Sequence, residues 1–354
     1  MSFAEQQAMN EGSKRILIVK LSSIGDVVMT LPVAGALRRR FPSAYIAWAV
    51  GPAAEEVVAG NPHLSEVLVV GGRRNGEGVR AAPPLTELWR LRRELRQIGF
   101  EVTLDLQGLF KSAAVAYLSG ARERIGFRSW REGTFLLNNR RVVAYRPEAH
   151  AVDLYLDFAK IMGAEREPVE FRIAVSEEDK RKVDELLGGR DKLVAMIPGA
   201  RWESKLWPTE RFAAVAKGLA EEFGLRPVVV GAAGDKRLGA LIAAACKHEV
   251  IDLTGKTTLK QAAEVFRRCR VTVGNDTGPL YISAAMGTPT VAVFGPSDAR
   301  RLGPYGEGHA KVVARVACAP CRNRKCRPRK CMEAISVERV LAAARGLLAG
   351  RREG

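Results

Sequence analysis

Asp26 stands where a carboxylate could serve as a base. It lies in ILIVKLSSIGDVVMTLP, Ile16 to Pro32, where an apolar run gives way to Ser22, Ser23 and Gly25 and then to a helical pattern. A carboxylate there meets the free N–H groups and the positive end of a helix, and with a reference pKa of about 3.9 it is ionised at neutral pH. The same placement suits a helix cap, so spacing alone fits both roles. A second set of groups suits an anion. Pro198-Gly199-Ala200-Arg201, Gly231-Ala232-Ala233-Gly234-Asp235 and Asn275-Asp276-Thr277-Gly278-Pro279 each follow an apolar run. Small loops that open helices turn backbone N–H groups toward phosphates, and Lys205 in ESKLWP adds a point charge. Three such loops and a lysine at one sheet edge point to a nucleotide or a diphosphate.

Cys318, Cys321, Cys326 and Cys331 spell C-x2-C-x4-C-x4-C among basic residues. Four thiols at that density could hold structural zinc or an iron–sulfur cluster. The spacing is not that of a paired zinc ribbon, and four reduced, unligated thiols remain the competing reading. No metal is expected in the chemistry itself. Cys246 and Cys269 fall within helical patterns and read as core.

Alternating apolar runs and helical patterns must position these groups. Ile16–Lys20, Tyr45–Val50, Val67–Val70 and Val102–Leu106 read as strands, with helices over Val27–Arg40, Pro52–Ala59 and Leu85–Ile98. Such alternation means a parallel sheet covered by helices, with ligands beyond the carboxyl ends of the strands. Gln107 and Lys111, in LDLQGLFKSA, fall at that edge too. Arg73, Arg74 and Arg80 sit in a Gly- and Pro-rich loop, Gly71 to Pro84, and Arg122, Arg124, Arg128 and Arg131 form a further basic group. A helix at about His150–Met162 closes the first domain, 1–168. The pattern then repeats through 169–335: strands at Val194–Ile197, Pro227–Val230, Val250–Asp252, Val271–Gly274 and Thr290–Phe294, helices at Thr209–Phe223, Lys236–Cys246, Leu259–Arg268 and Leu280–Met286. A last helix, within 336–354, is expected to pack back across the domains. The fold class is α/β, two doubly wound Rossmann-like domains in tandem.

The chain has 354 residues and a formal net charge of +17, which favours an anionic partner: a phosphorylated substrate, a membrane surface or a nucleic acid. Aromatic residues are only 6% of the sequence, too few to stack many bases, so nucleic acid is disfavoured. No apolar run is long and uncharged enough to span a bilayer, and the chain is expected in the cytoplasm, peripheral on the anionic inner membrane and monomeric. Neither GxGxxG nor GxxxxGK[ST] occurs, which weighs against ordinary dehydrogenases and ATPases. Two α/β domains facing across a cleft, one with a diphosphate site and one with an exposed Asp, describe a nucleotide-sugar glycosyltransferase of the GT-B kind. The rivals are another nucleotide-sugar transferase or epimerase of that fold and, in a different class, a basic metal-containing nucleic-acid-binding protein.

The sequence also resembles the ADP-heptose:lipopolysaccharide heptosyltransferases, glycosyltransferase family nine. VKLSSIGDVVMTLP, LDLQGLFKSA, the Lys205-Leu206-Trp207-Pro208 segment and GNDTGPLYISAAMGTPTVAVFGP carry the resemblance over residues 16 to 296, and QGLFKSA with HAVDLYLDFAKIMGA is more like the members that add the first heptose. The resemblance implies inverting transfer of heptose from ADP-heptose to the Kdo–lipid A inner core. It implies Asp26 as base, Lys205 as the donor-phosphate lysine, Asp276, Thr277 and Gly278 as the donor-binding turn, and Asp235 as an acidic ribose contact. Arg201 would join the donor site. Tyr281 stands where the family usually has histidine, so that donor contact can still donate a hydrogen bond but carries no positive charge near neutral pH. Ser22, Ser23, Gly25, Arg73, Arg74, Gln107, Lys111, Arg122 and Arg128 would receive the acceptor.

Overall fold

The structure is a computed structural model and describes residues 14–71, 85–128, 131–144, 146–246 and 248–350. It divides into two compact units, Met1–Ala174 and Val175–Gly354, a few residues beyond the boundary expected after Pro168.

The first unit runs β1 (Arg15–Val19), α1 (Ile24–Arg40), β2 (Tyr45–Val50), α2 (Glu55–Val58), β3 (Glu66–Val69), α3 (Leu85–Ile98), β4 (Val102–Asp105), α4 (Phe110–Leu118), β5 (Glu123–Phe127), β6 (Arg140–Val143) and α5 (Ala151–Ile161). Its six strands lie in the order β3-β2-β1-β4-β5-β6, and every neighbouring pair is parallel. Ile16, Leu17, Ile18 and Val19 have no exposed surface, because a central parallel strand is covered on both faces. That burial is why the stretch reads as unbroken apolar sequence. Strand order reverses between β1 and β4, so their carboxyl ends flank the crevice where such sheets bind ligands.

The second unit runs α6 (Glu177–Leu187), β7 (Leu193–Ile197), α7 (Thr209–Phe223), β8 (Arg226–Val229), α8 (Lys236–Ala245), β9 (Ile251–Asp252), α9 (Leu259–Arg268), β10 (Cys269–Asn275), α10 (Gly278–Ala285), β11 (Thr290–Phe294), α11 (Ala299–Leu302), β12 (His309–Val313), α12 (Lys330–Glu333) and α13 (Val337–Ala349). The order β12-β11-β10-β7-β8-β9 repeats the winding of the first sheet, so its reversal falls between β7 and β10. The final helix α13 buries Val340, Ala344 and Leu348 in the same core as Trp207, Phe212 and Met332, against α7 and β12. Trp207 Nε1 donates to the Ile335 carbonyl at 2.9 Å, fastening the approach to that helix.

One buried charge ties α9 to α6. The Glu264 side chain is wholly shielded from solvent and accepts from Arg267 Nε and Nη2 and from Arg268 Nε, each at 2.7 Å, while Arg268 also reaches Asp184 at 2.5 Å. Burial alone would raise the carboxyl pKa, but the hydrogen bonds from Arg267 and Arg268 hold it below its ordinary value. A depressed folded pKa stabilises the protein above the unfolded value of about 4.3, and this is lost as pH falls through the folded value. Glu264→Ala should therefore lower stability by about 3 kcal/mol at pH 7, less than a fully desolvated pair because Arg267 is half exposed. Urea melts of both proteins should draw together as pH falls below about 4.

Candidate active site

In the first unit the reactive groups gather beyond the paired ends of β1 and β4, where Val19 stands beside Asp105. Asp26 lies in the first turn of α1 and is half-buried. Its Oδ2 accepts from the Ser23 hydroxyl at 2.7 Å and the Ser23 N–H at 3.2 Å. Its Oδ1 accepts from the Tyr155 hydroxyl, on α5, at 3.4 Å. Behind that tyrosine stands Lys20, 3% exposed, whose Nζ donates to Tyr155 Oη at 2.8 Å and to the Leu106 carbonyl at 2.9 Å. Burial, and then the nearby charge and hydrogen bond of Asp26, push the Tyr155 hydroxyl well above its usual pKa. Tyr155 therefore stays protonated and keeps donating.

Gln107 fixes the preceding turn. Its Oε1 accepts from Leu21 N–H at 2.8 Å and Ser22 N–H at 3.1 Å, which also fixes which end of the amide is oxygen. Its Nε2 is buried with no partner among the described residues, a donor still to be satisfied. Asp105, fully buried, receives Gln107 and Gly108 N–H on Oδ1 and Asn138 Nδ2 on Oδ2, and so holds the loop that carries Gln107. Lys111 Nζ stands 3.4 Å from Ser22 Oγ.

Ser22, Ser23, Gly25, Asp26, Gln107 and Lys111 are thus brought to one edge. Arg128 follows β5 at the same edge and is exposed. Arg122 is not brought there: it precedes β5, at the opposite edge of a parallel sheet, and its carbonyl accepts from Asn139 Nδ2 at 2.8 Å. Arg73 and Arg74 lie outside the described residues.

In the second unit the loops after β7, β8 and β10 form a second edge. Lys205 Nζ donates to Asp276 Oδ2 at 2.6 Å, with the two side chains only 15% and 5% exposed, and stands 4.5 Å over the Trp202 ring. Tyr281 donates to the other carboxylate oxygen, Asp276 Oδ1, at 2.6 Å. Asn275 binds the neighbouring loop through Nδ2 to the Pro198 carbonyl at 2.7 Å, and its Oδ1 accepts from Trp207 N–H at 3.1 Å. Thr277 precedes α10, which starts at Gly278. Asp235 closes a short 3-10 turn and accepts from Ala232 N–H at 2.9 Å. Its carboxylate lies so close to Gly199 and Gly231 that a Cβ at either position would collide with it. Arg201 is exposed on the β7 loop.

A family model for glycosyltransferase family 9 (heptosyltransferase) matches residues 88–332, more than half of the chain. The chain belongs to glycosyltransferase family 9. Among the relatives of this family 9 protein, lipopolysaccharide heptosyltransferase 2 of Salmonella typhimurium is 30% identical over 299 residues, covering 80% of this chain and 83% of that one. Lipopolysaccharide heptosyltransferase 1 of Pseudomonas aeruginosa is 27% identical over 315 residues, covering 88% and 87%. The solved ADP-heptose lipopolysaccharide heptosyltransferase II of E. coli superposes with a TM-score of 0.76 at 25% identity, over 96% of this chain and 99% of the other. The family 9 chain is accordingly a glycosyltransferase of GT-B fold.

In this family 9 protein Tyr281 is 6% exposed, and its hydroxyl donates to Asp276. That bond orients the carboxylate. Lys20, Asp105 and Tyr155 were not singled out as site residues from sequence. Charged residues inside apolar strand runs were the available signal for Lys20 and Asp105. Tyr155 carried none, since a tyrosine on an apolar helix face reads as core. Tyr155→Phe removes two charge-assisted hydrogen bonds, one from Lys20 at 2.8 Å and one to Asp26 at 3.4 Å, and the latter, of modest length, is worth about 1.4 kcal/mol. The glycosyltransferase should then lose roughly tenfold in kcat, with donor KM unchanged because the phosphate-type loops belong to the other unit. Initial rates against donor concentration measure both.

Proposed function

We propose that the protein is an inverting heptosyltransferase that moves heptose from ADP-heptose to the Kdo–lipid A inner core of lipopolysaccharide. The observation that carries this reading is the pair of reversal points. One holds a carboxylate fastened by Ser23 and Tyr155, and the other holds Lys205 and Asp276 among phosphate-type loops. Relatives named as lipopolysaccharide heptosyltransferases support the substrate pair.

In the reaction, Asp26 takes the proton of the acceptor hydroxyl as its oxygen attacks the anomeric carbon, and the bond from that carbon to the diphosphate oxygen breaks. Lys205 and the N–H groups at the start of α10 receive the charge that develops on ADP. Asp276 and the Trp202 ring hold the ammonium in place beforehand, so little reorganisation is needed. Arg201, Asp235, Thr277 and Gly278 complete the donor side. Ser22, Ser23, Gly25, Gln107, Lys111 and Arg128, with Arg73 and Arg74, receive the phosphates and carboxylates of the acceptor. Among the described residues no helix is long and apolar enough to cross a membrane, and a net charge of +17 supports work at an anionic membrane face.

Incubation with ADP-heptose and Kdo–lipid A, followed by mass spectrometry of the lipid, tests the reading. A gain of one heptose is expected; an unchanged mass, with ADP-heptose intact, would overturn it.

A further inference from the structure

The four clustered cysteines take no part in the transfer chemistry. They sit beyond β12, where residues 314–329 form neither helix nor strand and where Cys331 lies in the short helix α12. All four are free thiols. Cys331 is buried, Cys326 is half-buried, and Cys318 and Cys321 are exposed. They nonetheless line a single pocket of about 140 Å³, shared with Ser204, Pro296, Pro328 and Lys330. We propose that Cys318, Cys321, Cys326 and Cys331 form a tetrathiolate site for one divalent, thiophilic metal ion, and that this ion braces the wall of the donor site at Ser204 and Lys205. The second half rests on the donor role proposed above; the first does not.

Convergence is the first argument. Thiols from a span of fourteen residues reach one cavity only because the chain doubles back on itself. Four thiolates lining one cavity would repel one another; a cation between them removes the repulsion.

Backbone strain is the second. Arg322, directly after Cys321, has a φ of 56°, and Arg329, two residues before Cys331, has a φ of 41°. Side-chain-bearing residues adopt such angles at a cost and keep them where the surroundings demand it. Hydrogen bonding from Arg322 N–H to the Pro296 carbonyl, at 2.8 Å, ties this turn to the end of β11.

Charge is the third. A divalent ion with four thiolates carries a net charge of −2 once four thiol protons have gone to solvent. Arg322, Arg324, Lys325, Arg327, Arg329 and Lys330 surround the cysteines in sequence and offset it. Among the described residues no three ligating side chains already stand close enough to hold an ion. Binding must therefore draw the exposed Cys318 and Cys321 inward onto Cys326 and Cys331, to metal–sulfur distances of about 2.3 Å.

The coupling to the donor edge is direct. Ser204 lines the pocket and has a buried Oγ with no partner among the described residues, and Lys205 is its neighbour. Arg324, between Cys321 and Cys326, stands 4.3 Å over the same Trp202 ring that Lys205 approaches at 4.5 Å. Fixing the cysteines fixes Arg324, and with it the ring that supports Lys205.

The test uses the full chain, produced with zinc and ferrous iron supplied and purified without chelators. Elemental analysis should return about one ion per chain, and cobalt exchanged into the site should show thiolate-to-cobalt charge-transfer absorption. Cys318→Ser and Cys321→Ser change exposed side chains, so they should fold while losing most of the ion. Removing the ion should raise the donor KM several-fold and leave kcat within about twofold. Four freely titrating thiols and no bound ion in folded protein would overturn the proposal, as would iron accompanied by acid-labile sulfide, which means a cluster. A bound ion whose removal leaves donor KM unchanged would overturn the bracing role alone. A protein that binds the ion but transfers no heptose would uphold the site and count against the proposed reaction.

Discussion

Asp26→Asn protein should fold, bind both substrates with KM values within about twofold of the parent, and transfer sugar on the order of 10³ times more slowly. The substitution is isosteric and its one oxygen can keep both bonds from Ser23, the amide nitrogen taking the side that faces the Tyr155 hydroxyl, so the start of α1 survives. Loss of the carboxylate at a helix start costs about 1 kcal/mol or less. What disappears is the capacity to take a proton. A general base contributes roughly 10²–10⁴ in rate, and the change should fall on kcat because the proton moves only in the transition state. Quenched-flow or steady-state assay at saturating donor measures it. Transfer within a few-fold of the parent, accompanied by a lowered melting temperature, would make Asp26 a helix cap and nothing more.

Replacing Lys205 should do two separable things. Lys205→Met removes a preorganised cation from the leaving group, with an expected loss of about 10²–10³ in kcat. It also strands Asp276, a carboxylate only 5% exposed, with the Tyr281 hydroxyl as its remaining side-chain donor among the described residues. Breaking one side of a buried pair costs about 3–5 kcal/mol, which lowers the melting temperature by roughly 10 °C in a unit of this size. Asp276→Asn in the same chain removes the stranded charge. The double variant should recover most of the melting temperature and none of the rate. Recovery of both would mean that Lys205 serves the fold rather than the diphosphate.

Where the physics is local, the fold was readable from the residues. β2 and β11, and the helices α3, α7 and α9, fall where periodicity and capping put them, because a covered parallel strand must be apolar throughout and a surface helix must show one apolar stripe. β5, β6 and β12 were not legible. They are short strands toward one side of each sheet, reading ERIGF, RRVV and HAKVV, and with partial cover they carry charges that look like loop. The misplacement of Arg122 follows from this: without β5, nothing said that it precedes a strand rather than follows one. The polar groups of the site were legible as loops at one edge. Their partnerships were not, since Lys20 with Tyr155 and Asp276 with Tyr281 depend on which helix lies over which strand end.

The strand order has a consequence for how the chain is made. In each sheet the first strand synthesised is a central one: β1 finds β2 soon after it emerges, but its other edge waits for β4, with Ile16 pairing Val102. Until then the most apolar segment of the unit presents a row of unpaired backbone groups. Non-local pairing of this kind is slow, and an open, uncharged edge invites other chains. The second unit repeats the delay, with β7 awaiting β10. Nascent protein is therefore most prone to aggregate twice, each time while a finished central strand still lacks its later neighbour.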